Sequence, residues 1–275
     1  MEKRQKKQII IILTYLFFIV FISAAIFFVF KVEYTCFDKI KNQGEFETDC
    51  GGPCQPCPEK PVLKELEIVS TEWVYDIDSK YDVAVKIKNP NSLYGLKTFK
   101  YAVSIMGADN ALLQKTGLEE GFILPGEEKY LLVQGLKLPS EPGKIAVEFS
   151  STDWQGFTDY EKPNFLINNK QYDVITGGTA GFSRAKGTLI NNSPYDFEHI
   201  LVKILLRDGQ GKLLAVNHQQ MNVVRSKEQR DYDTVFPHSF PGSVGQVEVE
   251  PEVNVFSSDN YLKVKGQPET WDRTR

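Results

Sequence analysis

From Ile9 to Phe30 the chain runs for 22 residues without a charged side chain, and only Thr14, Tyr15 and Ser23 interrupt its apolar character. A helix rises about 1.5 Å per residue, so such a run reaches roughly 33 Å, enough for a bilayer core of about 30 Å. A buried core helix would show one apolar face, whereas this run has little period. A cleaved signal peptide would carry an apolar region of about 7–15 residues ending at a small-residue site. Ser23-Ala24-Ala25 offers such a site, but the apolar run continues past it to Phe30. The expectation is an uncleaved transmembrane helix at 9–30. Lys3, Arg4, Lys6 and Lys7 precede it, so the positive-inside rule predicts a cytoplasmic tail at 1–8 and a single-pass protein with residues 31–275 outside the cell membrane.

Beyond the anchor the composition is that of an ordinary globular protein. Apolar residues are 41% and charged residues 25% of the chain, which excludes a disordered or collagen-like polymer. The net charge is −4; residues 1–8 contribute +3, which leaves −7 for the rest. Nucleic acid is therefore excluded as a partner class, because phosphate contacts need a basic surface.

All four cysteines, Cys36, Cys50, Cys54 and Cys57, fall within 22 residues. An extracytoplasmic location oxidises thiols, and two disulfides would staple a segment too small to bury its own core. Four cysteines allow three pairings, among which sequence does not choose. Zinc is the competing reading: Cys54 and Cys57 have ribbon spacing, but Cys36 and Cys50 do not form a second short pair. Between the first two cysteines lie Asp38, Asn42, Glu45 and Asp49. Hard oxygen ligands in a stapled loop suit calcium, although the spacing is not that of an EF-hand. The preferred reading is that these groups cap turns and no cofactor is needed. Cys36 to Cys54 resembles a short cysteine-rich module of bacterial surface proteins, C-x-D-G-x-x-N-x-x-E-x-x-x-D-C-G-G-x-C. Lys39 stands where that pattern has Gly, at the tight turn after Asp38.

After Pro56, Pro58 and Pro61, which read as a stiff linker closing a cysteine-rich stalk at 31–61, the dominant period is two. Val83, Val85 and Ile87 alternate with Ala84, Lys86 and Lys88; Ile200, Val202, Ile204 and Leu206 alternate with Leu201, Lys203, Leu205 and Arg207. Each run predicts a strand with one face on a core and one on water. Turn residues separate the runs, as at Asn89-Pro90-Asn91 and Asp208-Gly209-Gln210-Gly211. Landmarks repeat: Asn89 and Asn191 are 102 apart, Leu138-Pro139 and Phe236-Pro237 98, Pro142-Gly143 and Pro241-Gly242 99. A period near 100 is the size of an immunoglobulin-like sandwich. The predicted fold is mainly β, with the N-terminal helix followed by two tandem sandwiches at 62–162 and 163–262 and a tail at 263–275. Ile175–Gly181 reads as a loop, since it lacks the Gly-Lys-Ser/Thr ending of a phosphate loop.

The second copy resembles FxLYD-type β-sandwich modules of bacterial surface and membrane-anchored proteins, through Gly187-Thr-Leu-Ile-Asn-Asn192 and Ile204-Leu-Leu-Arg-Asp208. Ile204 stands where the name motif has Phe, and Arg207 where it has Tyr. The whole arrangement looks like single-pass surface proteins of small-genome bacteria. The resemblance implies a fold and an envelope location, and no catalytic residues.

The chemistry-bearing residues are dispersed. His199, His218 and His238 have no metal-pair spacing, and Pro241-Gly242-Ser243-Val244-Gly245 is a turn, not a nucleophile elbow. The acids Glu119-Glu120, Glu127-Glu128, Asp231 and Asp233 read as turn and surface residues. The aromatics Trp73, Tyr75, Tyr81, Tyr94, Trp154, Phe157 and Tyr160 read as core and cross-strand packing, with a sugar or peptide surface as the alternative. The sequence thus points to a non-enzymatic protein displaying two modules to an extracytoplasmic or envelope protein. A subunit of a membrane-embedded secretion or pilus-like assembly is the alternative, and an envelope hydrolase a further one.

Overall fold

The computed structural model describes residues 3–29, 36–42, 44–57, 61–177 and 181–261. The ends of the predicted span and stalk at Phe30–Thr35, the tail at 263–275 and part of the 175–181 loop lie outside them. The chain divides between Val62 and Leu63 into two compact units.

In the first unit, helix α1 runs Lys3–Val29, so the basic residues Lys3, Arg4, Lys6 and Lys7 form its first turns. Its stretch Gln5–Phe28 is 24 residues long, apolar enough to cross a membrane, and covered by nothing among the described residues. The four cysteines follow as two disulfides, Cys36–Cys54 and Cys50–Cys57.

Among its described residues, the second unit is all β apart from one 3₁₀ turn at Ser258–Asn260. β1 (Glu67–Tyr75), β2 (Lys80–Lys88) and β6 (Glu128–Lys137) form one antiparallel sheet in the order β1-β2-β6. It faces a sheet centred on β3 (Tyr94–Met106), whose one edge carries β7 (Lys144–Gly156) and whose other carries β4 (Leu112–Lys115) and β5 (Glu119–Ile123) in succession. Val83, Val85 and Ile87 meet Phe99, Val103, Ile105 and Leu131 between these sheets, all buried. Fully burying such a side chain contributes about 1.5–3 kcal/mol, so the alternating runs drive the two sheets together.

The second sandwich repeats the plan. β8 (Phe165–Val174), β9 (Ser183–Asn191) and β12 (Gln229–Phe236) form a sheet in the order β8-β9-β12. β10 (Phe197–Arg207) sits between β11 (Leu213–Val224) and β13 (Gln246–Glu252) in the other. Leu189, Ile200, Val202, Ile204, Leu206 and Tyr232 fill the core.

One buried asparagine anchors the same corner in each copy. Asn89 donates through Nδ2 to the Tyr94 and Leu124 carbonyls at 2.7 and 3.0 Å, and its Oδ1 accepts from the Asn91 amide at 2.9 Å. Asn191 donates to the Tyr195 and Arg225 carbonyls at 2.7 and 3.1 Å, and its Oδ1 accepts from the Ser193 hydroxyl at 2.6 Å. Beside each, a glutamate closes a turn: Glu127 accepts from the Leu124 amide and Glu228 from the Arg225 amide. The glycine correspondence needs correction. Gly143 donates its amide to Met106 and packs on Ala108, and its counterpart in role is Gly245, which donates to Arg207 and packs on Gly209. Pro241-Gly242 is a separate turn. The motif spacing misled because the loop after β12 is longer than the loop after β6.

The expectation that every strand keeps one face in water fails at β10. Leu205 is fully buried, and Lys203 and Arg207 are only 5% and 8% exposed. The reason is a third apolar layer. Ala84 and Tyr130 of the β1-β2-β6 sheet pack on Leu205, Leu213 and Val216 of the β10 sheet. The four sheets therefore stack, and the middle two are covered on both faces.

Candidate functional site

The layer between the sandwiches holds the densest polar chemistry among the described residues. β10 sends Lys203 and Arg207 to the face opposite its core residues, because side chains alternate along a strand. Arg207 grips Glu72 of β1 with both terminal nitrogens, Nη1 to Oε2 at 2.8 Å and Nη2 to Oε1 at 3.0 Å. Its Nε donates to Glu248 of β13 at 2.8 Å, and Nη2 donates to the Tyr130 hydroxyl at 3.0 Å. A planar fork matched to a carboxylate fixes orientation as well as charge. Hydrogen bonding to Glu72 holds the guanidinium well above its ordinary value.

A second cluster adjoins it. Lys203 contacts Glu252 and the Tyr130 carbonyl and lies 3.1 Å from Glu250. Lys129 of β6 is 2% exposed; its Nζ reaches Glu252 at 2.7 Å and the Phe122 carbonyl at 2.7 Å, and lies over the Phe122 ring. Glu250 accepts the Tyr130 amide at 3.0 Å, which closes an edge position of β6. The ionisations split by environment. Burial pushes Lys129 down. Burial also acts to lower Lys203, but Glu252 and Glu250 outweigh it and hold that ammonium above its usual value. Burial pushes the Glu250 carboxyl up, whereas at Glu252 the two lysines outweigh burial and hold it down. These carboxylates were not among the acids singled out from sequence. Their signal was present: Glu248, Glu250 and Glu252 alternate along β13, and β13 pairs with β10 so that Lys203 stands opposite Glu250.

Two clefts open beside this seam. One of about 630 Å³ is lined by Trp73, Tyr75, Tyr81, Glu141 and Lys212. The other, of about 200 Å³, is lined by Asp76, Asp82, Gln134 and His238. His238 Nδ1 lies 2.7 Å from Asp76, a contact that also crosses between sandwiches. His218 lies 2.9 Å from Gln134, and His199 is 2.8 Å from Asn222, so the three histidines have separate partners. The aromatic residues at and beyond the end of β7 serve two cores: Trp154 packs into the first, Phe157 and Tyr160 into the second against Phe256.

The oxygen series of the stapled segment is turned onto its own backbone. Asp49 accepts the Lys39 amide at 3.1 Å, and Asp38 the Ile40 amide at 2.8 Å. Glu45 accepts the amides of Asn42 and Asp49 at 3.3 and 3.1 Å. Asn42 donates to Asp38 at 3.0 Å. These bonds cap the turns of the segment. Cys36, Glu45 and Cys54 converge within 4.8 Å, but the two sulfurs are bonded to each other and offer no thiolate. The turn after Asp38 survives without glycine, because Lys39 itself adopts φ 61°.

No protein-family profile matches the chain, and no curated protein is significantly similar to it. Arg207 is the side chain that clamps the two sandwiches together.

Proposed function

We propose that the chain is a non-enzymatic, single-pass membrane protein that presents its two sandwiches, as one rigid body, to another protein of the cell envelope. The observation that carries this reading is the buried charged seam. A flexible tandem would need no bidentate Arg207–Glu72 pair, whereas a display platform gains from one mutual orientation of its two modules. Further support comes from the bare apolar helix, for which lipid is the natural cover, and from the two disulfides, which persist in oxidising compartments. Lys3, Arg4, Lys6 and Lys7 favour a cytoplasmic start. The partner would meet loops or open sheet edges, such as that of β7, by strand addition.

Protease treatment of intact cells tests the topology: residues 61–261 should be degraded from outside, and their protection would overturn the reading. A pull-down with the soluble fragment should recover an envelope protein. Recovery only when α1 is present would favour a membrane-embedded assembly instead.

A further inference from the structure

The stapled segment buries a carboxylate and exposes three large apolar side chains. Its buried side chain is a glutamate, Glu45, at 6% exposure. Asp38 and Asp49 also spend oxygens on backbone amides. Phe37, Ile40 and Phe46, by contrast, are 84%, 53% and 74% exposed, and Lys39 and Lys41 stand exposed among them. Phe46 rests one side of its ring against Gly51, so close that a β-carbon there would sit 2.6 Å away, and leaves the other side open. A stapled segment free in water has no reason to present large apolar side chains while turning its carboxylates inward.

The tether limits what can cover these side chains. Only residues 30–35 separate the end of α1 at Val29 from Cys36. Seven residue steps extend at most about 25 Å, so a helix in the bilayer keeps this segment near the headgroups. Aromatic and aliphatic side chains flanked by lysines suit that layer: rings enter the acyl boundary and ammonium groups reach phosphate.

We infer that Phe37, Ile40 and Phe46 form a membrane-contacting surface, so that the disulfide-stapled segment rests in the lipid headgroup layer instead of acting as a free spacer. The inference rests on the proposed membrane anchoring, and its test separates the two. The full chain is reconstituted in nanodiscs of phosphatidylcholine and phosphatidylglycerol, with the photocrosslinker p-benzoylphenylalanine placed singly at Phe18, Phe37, Phe46 or Leu112. Non-reducing mass spectrometry first confirms both disulfides in each variant. Lipid adducts at positions 18, 37 and 46, at least tenfold above position 112, are the expected result. Adducts at 18 without adducts at 37 and 46, or crosslinks from 37 and 46 to protein, overturn the inference and leave the anchor standing. Absence of adducts at 18 overturns the anchor and the inference with it.

Discussion

The two sandwiches share a corner and differ in the face they give each other. Asn89 and Asn191 sit fully buried at the same junction and make matching bonds to the backbone. The first sandwich, however, turns its β1-β2-β6 sheet toward the seam, while the second turns its β11-β10-β13 sheet. Equivalent positions therefore carry different chemistry. Met106 ends β3 where Arg207 ends β10, and only the arginine has partners across the seam. A repeat of this kind keeps what closes each module and varies what joins them.

The largest expected effect breaks that asymmetry. Arg207→Ala leaves the half-buried Glu72 and Glu248 without their shared partner and should cost about 2–4 kcal/mol in urea unfolding, discounted for the water that still reaches both carboxylates. Met106→Ala, at the matching place in the first sandwich, should cost about 1 kcal/mol. Equal losses would mean the seam contributes nothing particular.

Glu252→Gln sharpens the same point through pH and should cost about 2–3 kcal/mol at neutral pH, as it removes the anion between Lys129 and Lys203. The lysines hold Glu252 below its ordinary value of 4.5, so its stabilisation is complete above pH 4.5 and lost as pH falls through the folded value. Glu250, raised by burial, works in the opposite sense, gaining stability as it protonates. Thermal melts between pH 3 and 7 should therefore show a shallower acid limb in Glu252→Gln than in the wild type; unchanged curvature would remove Glu252 from the seam's electrostatics.

The shared corner predicts symmetry instead. Asn89→Ala and Asn191→Ala each leave buried backbone carbonyls unpaired and should each cost about 2 kcal/mol. Values differing by more than the seam substitutions do would show that the corner is not a common device.

The smallest effect lies in the stapled segment. Lys39→Gly relieves a left-handed residue and should stabilise the turn by about 0.5–1 kcal/mol, seen as two- to fivefold slower exchange of the Ile40 amide. Faster exchange would show that the Lys39 side chain holds the turn.

Much of this was legible before any coordinates. The alternating runs placed β2 and β10 because a half-buried strand must repeat every two residues. Asn89 and Asn191 announced the repeat because a buried turn tolerates few side chains. The stacking of the sandwiches was not read, although β10 carried a hint: Ile200–Leu206 has one charged residue, Lys203, in an otherwise apolar run. Such a run marks a strand covered on both faces. Reading it as an alternation assigned Leu205 and Lys203 to water.

What the sequence determined alone follows from local rules: an uncharged run long enough for a bilayer, strand periodicity, turn residues, and a cysteine cluster that a small segment needs for stability. Those properties depend on neighbours within a few residues. The tertiary structure decided which cysteines pair, which sheet of each sandwich is covered, and that Glu72 meets Arg207 across 135 positions of chain. Contacts of that range depend on how finished sheets dock, and no short window of sequence contains both partners.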